Sequence, residues 1–503
     1  MAERTRQSRM AIVAETTEGT PAFPASGADF LALQEGFSVA LGFESLENAE
    51  LKASLGKSKP ISGIDIATAS VQHYLRASGT EGTAPQSGYS KLLKAAFGQE
   101  ELIAVEQTAA ASSTTILVKV ASTTANKIGQ ALLVKHAAFP WEITVIKEVV
   151  NATDLSLLFA LNNAPATGTS LGKAVMYRAA DSGHPTLSVH DYRGNGGAYQ
   201  LAAGCRVTSF TAEAAAGELI NGSFELEGIA GYFDPIRILA ADTKLDFNET
   251  GPTLRAATIA AGVYKTPHHL AQAISDAMNA VATDTITVSY SNSTGKFTIS
   301  TGGTLLSLLW STGVNAANTI GDKIGFVTAS DDTGSLTYTS DNAQDWSSPY
   351  TPAFDSPGDP VVAKNGLVLI GSQSENVCAA AQDISYELGV PVTQLGDVCA
   401  ESGVAGTVIN GREVKMSGTL TLSRHDAKLF EAMRSNTGIS ALWAFGSKSG
   451  GNFIAGKSGS LHIKECVVSS HELGDNDGLV TIAFELAGFV NSSGSSETAL
   501  NLV

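Results

Sequence analysis

The chain carries one succession of short motifs twice, and any fold it adopts has to satisfy that succession twice. Phe224-Glu225-Leu226-Glu227-Gly228 returns as Phe484-Glu485-Leu486-Ala487-Gly488, an offset of 484 − 224 = 260 residues. Each pentapeptide ends a longer alternating stretch, RVTSFTAEAAAGELINGSFELEG and CVVSSHELGDNDGLVTIAFELAG. Alternation on both sides of a polar, Gly-bearing turn is the pattern of a hairpin with one buried face. Upstream, FSVALGF at Phe37–Phe43 matches ISYELGV at Ile384–Val390, and PISGIDI around Gly63 matches TVINGREV around Gly411. Short amphipathic helices are expected next, at 89–98 with Leu92, Leu93 and Ala96, and at 426–438 with Leu429, Phe430 and Met433. Gly98 and Gly438 read as left-handed helix stops, and the pairs Gly196-Gly197 and Gly450-Gly451 open the final hairpins. The order of these elements, more than any single match, predicts a duplicated unit.

At 503 residues the chain has room for three to four domains. Its 43% hydrophobic and 16% charged residues describe a packed globular protein, and 50 glycines among β-prone residues favour sheets over bundles. The expected fold class is mainly β (α+β): two β-sandwich or half-barrel domains, each with a short flanking helix, plus a small β insert and an α/β insert. The expected partition is 1–103 for the first part of domain one, 104–180 for the β insert, 181–235 for its second part, 236–350 for the α/β insert and 351–503 for domain two. Within 104–180 the runs TTILVKV, ALLVKH, EITVIKEVV and LSLLFAL read as short strands. Within 236–350, Thr266-Pro267 opens a helix with Leu270, Ile274 and Met278 on one face. A hairpin ITVSY–SNSTG–KFTIS follows it, then Leu305–Trp310 and a short helix near Ala316. Pro349, Pro352, Pro357 and Pro360 mark a linker over 346–365. Both inserts are expected to project from an outer face, because insertions survive in surface loops.

The formal charge is 32 − 49 = −17, which excludes a chain built to grip nucleic acid through clustered Lys and Arg. Cys205, Cys378, Cys399 and Cys466 are widely spaced and form no CxxC, so buried free thiols in a reducing compartment are expected. The N-terminus is too polar to be expected as a signal peptide, and no apolar stretch is long enough for a membrane span.

Chemical motifs give way to plainer readings. Gly451–Ser458 spells the phosphate-loop pattern G-x-x-x-x-G-K-[ST], but GSLHIKECVV after it reads as a strand where a helix is needed. Gly168-Thr169-Ser170-Leu171-Gly172 fits the hydrolase elbow G-x-S-x-G without a following helix. His268 and His269 point about 100° apart on a helix, and His190 and Asp191 point to opposite sides of a strand. Asp331-Asp332 and Asp475-x-Asp477 read as turn residues. No residues qualify as a catalytic, cofactor-binding or metal site, no cofactor is expected, and the chain is read as a non-enzyme.

The whole pattern resembles the tail tube proteins of long-tailed bacteriophages, of the kind with a duplicated tube domain. The resemblance lies in SRMAIVAETTEGTPA with its Glu15-to-Thr20 element, and in ASGTEGTAPQSGYSKLLKAAFG at 77–98. It continues in LSVHDYRGNGGAYQLAAGCRVTSF with FELEGIAGYFDP, and in GNFIAGKSGSLHIKECVVSSHELGDNDGLVTIAFELAGFV. It covers the chain outside the two inserts. It implies a structural virion protein, made in the host cytoplasm, that polymerises into stacked rings as the conduit for genome delivery. Six tube domains per ring imply a homotrimer with pseudo-six-fold symmetry. Implied partners are further copies of the chain and the tape measure, terminator and baseplate proteins. DNA would pass through the lumen without specific binding, and no membrane is involved; the net charge of −17 makes a predominantly acidic lumen wall the expectation. Another phage assembly component, a baseplate ring or decoration protein, is the alternative, and a phosphate-loop enzyme the more distant one.

Overall fold

The computed structural model describes residues 7–50, 58–194, 196–249, 251, 253–353, 360–364, 366–373, 376–378, 380–400, 402–421, 427–476, 478–490 and 497–503. Strand far outweighs helix among the described residues, so the fold is mainly β. It divides into two compact units: Met10–Val189 with Ala203–Ile229 and Tyr350–Val503, and Met1–Arg9 with His190–Ala202 and Ala230–Pro349.

The larger unit is built on strands β1 (Ser38–Leu46), β2 (Ile61–Tyr74), β3 (Gly98–Ile103), β4 (Ala174–Ala179), β5 (Ala198–Ala215, from Ala203 in this unit), β6 (Asn221–Gly228) and β7 (Leu367–Gly371). After these come β8 (Ala381–Gly389), β9 (Glu413–Thr421), β10 (Ile439–Ser449), β11 (Asn452–Asn476), β12 (Leu479–Gly488) and β13 (Thr498–Leu502). The α-helices of the described residues are α1 (Ser87–Phe97), α2 (Pro267–Asn279) and α3 (Ala427–Ser435).

Strand pairing follows the repeat. β1 pairs with β2, β2 with β6 and β6 with β5, all antiparallel. In the same way β8 pairs with β9, β9 with β12 and β12 with β11. Registers coincide as well: Ser38 faces Ser70 and Ser385 faces Ser417, both at an offset of 385 − 38 = 417 − 70 = 347. Phe224 faces Val71 while Phe484 faces Gly418, again 418 − 71 = 347. Each closing hairpin carries one bulge, between Val207 and Ser209 and between Val468 and Ser470. A hydroxyl holds each bulge: Thr208 Oγ1 donates to the Glu225 carbonyl and Ser469 Oγ to the Glu485 carbonyl, both at 3.1 Å.

A second sheet lies behind, in the order β7–β10–β11–β13–β4–β3. The long strand β11 serves both sheets, because Asn452–Cys466 pairs with β10 and Cys466–Asn476 with β12. The buried Tyr386 hydroxyl meets Thr498 Oγ1 at 2.8 Å, which ties β8 to β13 across the core. α1 turns Tyr89 and Phe97 inward against His73, Phe224 and Phe210.

The helix stops differ between the repeats. Gly98 ends α1 at φ +96, as its position predicts. α3 ends instead at Asn436, φ +49, and Gly438 keeps a negative φ. Asn tolerates the left-handed region better than most side chains, so the stop needs no glycine. Asp426 and Pro357 lie outside the described residues.

The β insert leaves and returns on a ribbon, β3 against β4, with Ile103 opposite Ala174. Residues 174–180, expected inside it, therefore start with a strand of the second sheet; their apolar run could not be told from an insert strand by sequence. The insert proper is a four-stranded sheet in the order Leu117–Lys119, Asp154–Leu157, Glu142–Val149, Ala131–Val134. It does not simply project. Leu133, Ile143, Val145 and Phe159 share a buried cluster with Leu369, Leu442, Phe453 and Ala499. Asn501, fully buried, accepts from the Ala131 amide and donates to the Gly129 carbonyl, each at 3.0 Å.

The smaller unit has its own core around Leu270, Ile274, Met278, Phe247, Phe297 and Trp310. Thr266 Oγ1 caps α2 through the His269 amide at 3.1 Å, with Pro267 in the first turn. Ile286–Ser291 and Lys296–Thr301 form the hairpin read from ITVSY–SNSTG–KFTIS, and a short 3-10 turn spans Ala316–Asn318. This unit also takes in residues 190–202, which the motif order had assigned with the hairpin that follows.

Candidate assembly surface

The two four-stranded arrays are joined to each other. β5 pairs antiparallel with β8 over seven residue pairs, from Ser209 opposite Gly389 to Ala215 opposite Asp383. The last strand of the first array thus meets the first strand of the second, giving one sheet in the order β1–β2–β6–β5–β8–β9–β12–β11. Such head-to-tail contact leaves one edge of each kind free. Among the described residues no strand pairs with the outer side of β1 or of Ser470–Asn476.

The sheet has a dry face and a wet face, as the period of two requires. Val71, Phe224, Phe210, Leu388 and Val414 form a row across five strands, all buried. The opposite face carries the row Tyr74, Asn221, Glu213, Ser385, Ser417, Glu485, Ser470. Beside it run Gln72, Ser223, Thr211, Glu387, Lys415, Ala487 and Ser70, Glu225, Ser209, Gly389, Glu413. A further row is Ala215, Asp383, Thr419, Ala483, Glu472. Seven carboxylates stand against the single cation Lys415 in these four rows, so this face repels phosphate.

The Glu15-to-Thr20 element is a latch onto the unit that carries this sheet. Glu15 Oε1 accepts from Ser188 Oγ at 2.7 Å and the Gly204 amide at 2.8 Å, and Oε2 accepts from the Gly19 amide at 2.9 Å. Burial pushes the Glu15 carboxyl above its ordinary range, against the pull of those donors.

The motifs set aside in the sequence are dispersed. Gly451–Ser458 runs from the β10–β11 turn into β11, and the chain continues as strand to Asn476. Ser458 is buried, its hydroxyl donating to the Ile454 carbonyl at 2.9 Å, so no helix N-terminus is present to receive a phosphate. Ser170, in the G-x-S-x-G turn, donates to Glu106. His268 meets Asn292 at 3.1 Å, whereas His269 packs on Tyr264. His190 bonds the Tyr199 hydroxyl at 2.6 Å and Asp191 pairs with Arg193 at 2.6 Å, on different sides of their strand. Asp331 receives the Ser311 amide at 2.6 Å, Asp332 the Trp310 indole at 2.9 Å, and Asp475 the Gly478 amide at 3.1 Å. Asp477 lies outside the described residues. Among the described residues no cluster of His, Cys, Asp and Glu is placed to hold a metal ion, and no helix is long and apolar enough to cross a membrane.

No protein-family profile matches the chain, and no curated protein matches it. Among solved structures it is similar to the SPP1 tail tube, at 15% identity over 27% of this chain and 77% of that one, TM-score 0.21. It is similar to an Hcp protein at 11% identity over 27% and 96%, TM-score 0.17. A mavirus penton protein shares 9% identity over 58% and 85%, TM-score 0.19. Likenesses at this level set neither fold nor function.

Proposed function

We propose that this chain is a structural protein of a virion that polymerises into stacked rings, the tail tube of a long-tailed phage. The observation that carries the reading is the β5–β8 joint: two equivalent arrays already pair head to tail, and each end of the sheet repeats an edge used inside it. Exposed edges of this kind are a liability unless another chain covers them. Repetition of a head-to-tail contact closes a ring or grows a filament.

In this reading six arrays complete a ring, so three chains form it with pseudo-six-fold symmetry. The acidic face lines the lumen, where phosphate repulsion lets DNA slide, and the smaller unit, with its own core, is a decoration. Tape measure, terminator and baseplate proteins are the partners at the tube ends, and the assembled protein resides in the virion. Negative-stain images of the purified chain should show rings and hollow filaments, with a ring mass of three chains. A protein that stays monomeric at every concentration and salt would overturn the proposal.

A further inference from the structure

We infer that neighbouring chains join by pairing Ser470–Gly474 of β11 with Ser38–Gly42 of β1 in one defined antiparallel register; this rests on the ring reading above. The internal joint supplies the register. Superposing the bulges makes Ser209–Glu213 equivalent to Ser470–Gly474, since Phe210 and His471 face the equivalent Phe224 and Phe484. Superposing β8 on β1 at the offset of 347 makes Ser385–Gly389 equivalent to Ser38–Gly42. The internal pairs Ser209–Gly389, Phe210–Leu388, Thr211–Glu387, Ala212–Tyr386 and Glu213–Ser385 then translate directly. They become Ser470–Gly42, His471–Leu41, Glu472–Ala40, Leu473–Val39 and Gly474–Ser38.

Burial gives independent support. Leu473 is 65% exposed, and its counterpart Ala212 is 0% exposed inside the joint. Phe43 is 62% exposed, and its counterpart Val390 is 1% exposed, with its amide bonded to the Thr208 carbonyl at 2.7 Å. Leu473 and Phe43, apolar side chains left in water at the free edges, therefore occupy positions that are dry where the joint is made. Size is exchanged across the pair, small Ala212 against large Tyr386 inside, Leu473 against Val39 between chains. Charge selects the register too: Glu472 meets Ala40, whereas a slide of four residues would set it against Glu44. A slide of one residue would turn the acidic face inward.

The occupant of each edge is a second copy of this chain. Disulfide trapping tests it in the full chain with Cys399→Ser, which removes an exposed native thiol. Ala40→Cys with Glu472→Cys, both at exposed positions, should on oxidation of the assembled protein give covalent dimers and closed trimers on denaturing gels. Glu44→Cys with Glu472→Cys, displaced by about 13 Å along the strand, should give at least about ten-fold less. Trapping by the second pair and not the first, with tubes still visible, would overturn the register and leave the tube reading intact. Absence of rings and of trapping in both would overturn both. Leu473→Asp should abolish assembly while leaving the far-ultraviolet circular dichroism and melting of the monomer unchanged; assembly at wild-type level would count against the joint.

Discussion

The two arrays share strand order, register and bulge, yet they do not share their surroundings. In the first, Phe224 sits 4.9 Å from Phe210 and 5.4 Å from His73, with Tyr89 of α1 beyond. In the second, the equivalent Phe484 faces His471 and Gly418, and His471 lies at a free edge. One backbone plan thus carries a dense aromatic cluster where its last strand is paired and a looser one where that strand awaits a partner. Equivalent positions can differ in side chain because the backbone ladder makes the same hydrogen bonds whichever apolar side chain covers it.

Truncation should sharpen that contrast most. Phe224→Ala is expected to cost about 4 kcal/mol and Phe484→Ala nearer about 3 kcal/mol, because the first removes ring contacts as well as buried area. Denaturant midpoints of the unassembled protein measure both, and equal losses, or a larger one for Phe484, would break the comparison.

Acid should separate the arrays next. His73 is buried against Tyr89, near Arg76, and burial lowers its pKa to about 4. The folded state favours the neutral ring, so its contribution is full above the unfolded pKa of about 6.5 and is lost as pH falls toward about 4. That window amounts to about 3 kcal/mol for the larger unit. The equivalent residue of the second array is Leu420, at 420 − 73 = 347. His73→Leu should flatten the stability profile between pH 6.5 and 4, while buried His462, with a pKa of about 3, keeps part of the acid loss. An unchanged slope would place the acid sensitivity elsewhere.

The smallest effect tests what the arrays have in common. Thr208→Val and Ser469→Ala each remove one bulge hydroxyl and should each cost about 1 kcal/mol. Losses differing by more than about 1 kcal/mol would mean that the bulges are not equivalent in energy.

Much of this was legible in residues. FSVALGF and ISYELGV match at 384 − 37 = 347, the offset the hydrogen-bonded registers use. The FEL-x-G strands match at 260, again the structural value for β6 and β12. Their partner strands do not, because the first hairpin holds one residue more between its paired positions. The incoming strand therefore runs at 471 − 210 = 261. That single residue hid an equivalence: Cys205 lies against Gly228 as Cys466 faces Gly488, both thiols buried and pushed upward by desolvation. A cysteine placed there touches the backbone where only glycine leaves room, since a Cβ on Gly228 would stand 2.7 Å from Cys205 Sγ.

Alternation, turns, the helix between strands and the order of elements are written in the residues, because they follow from periodicities of two and 3.6 and from local turn chemistry. The pairing of β5 with β8, the face that the β insert buries on the second sheet, and the place of 174–179 in that sheet come from the folded chain. These are contacts between strands far apart along the chain, and an alternating strand offers the same hydrogen-bonding edge to every neighbour. Which neighbour takes it is set by how the whole core closes, and the residues of the strand alone do not record that choice.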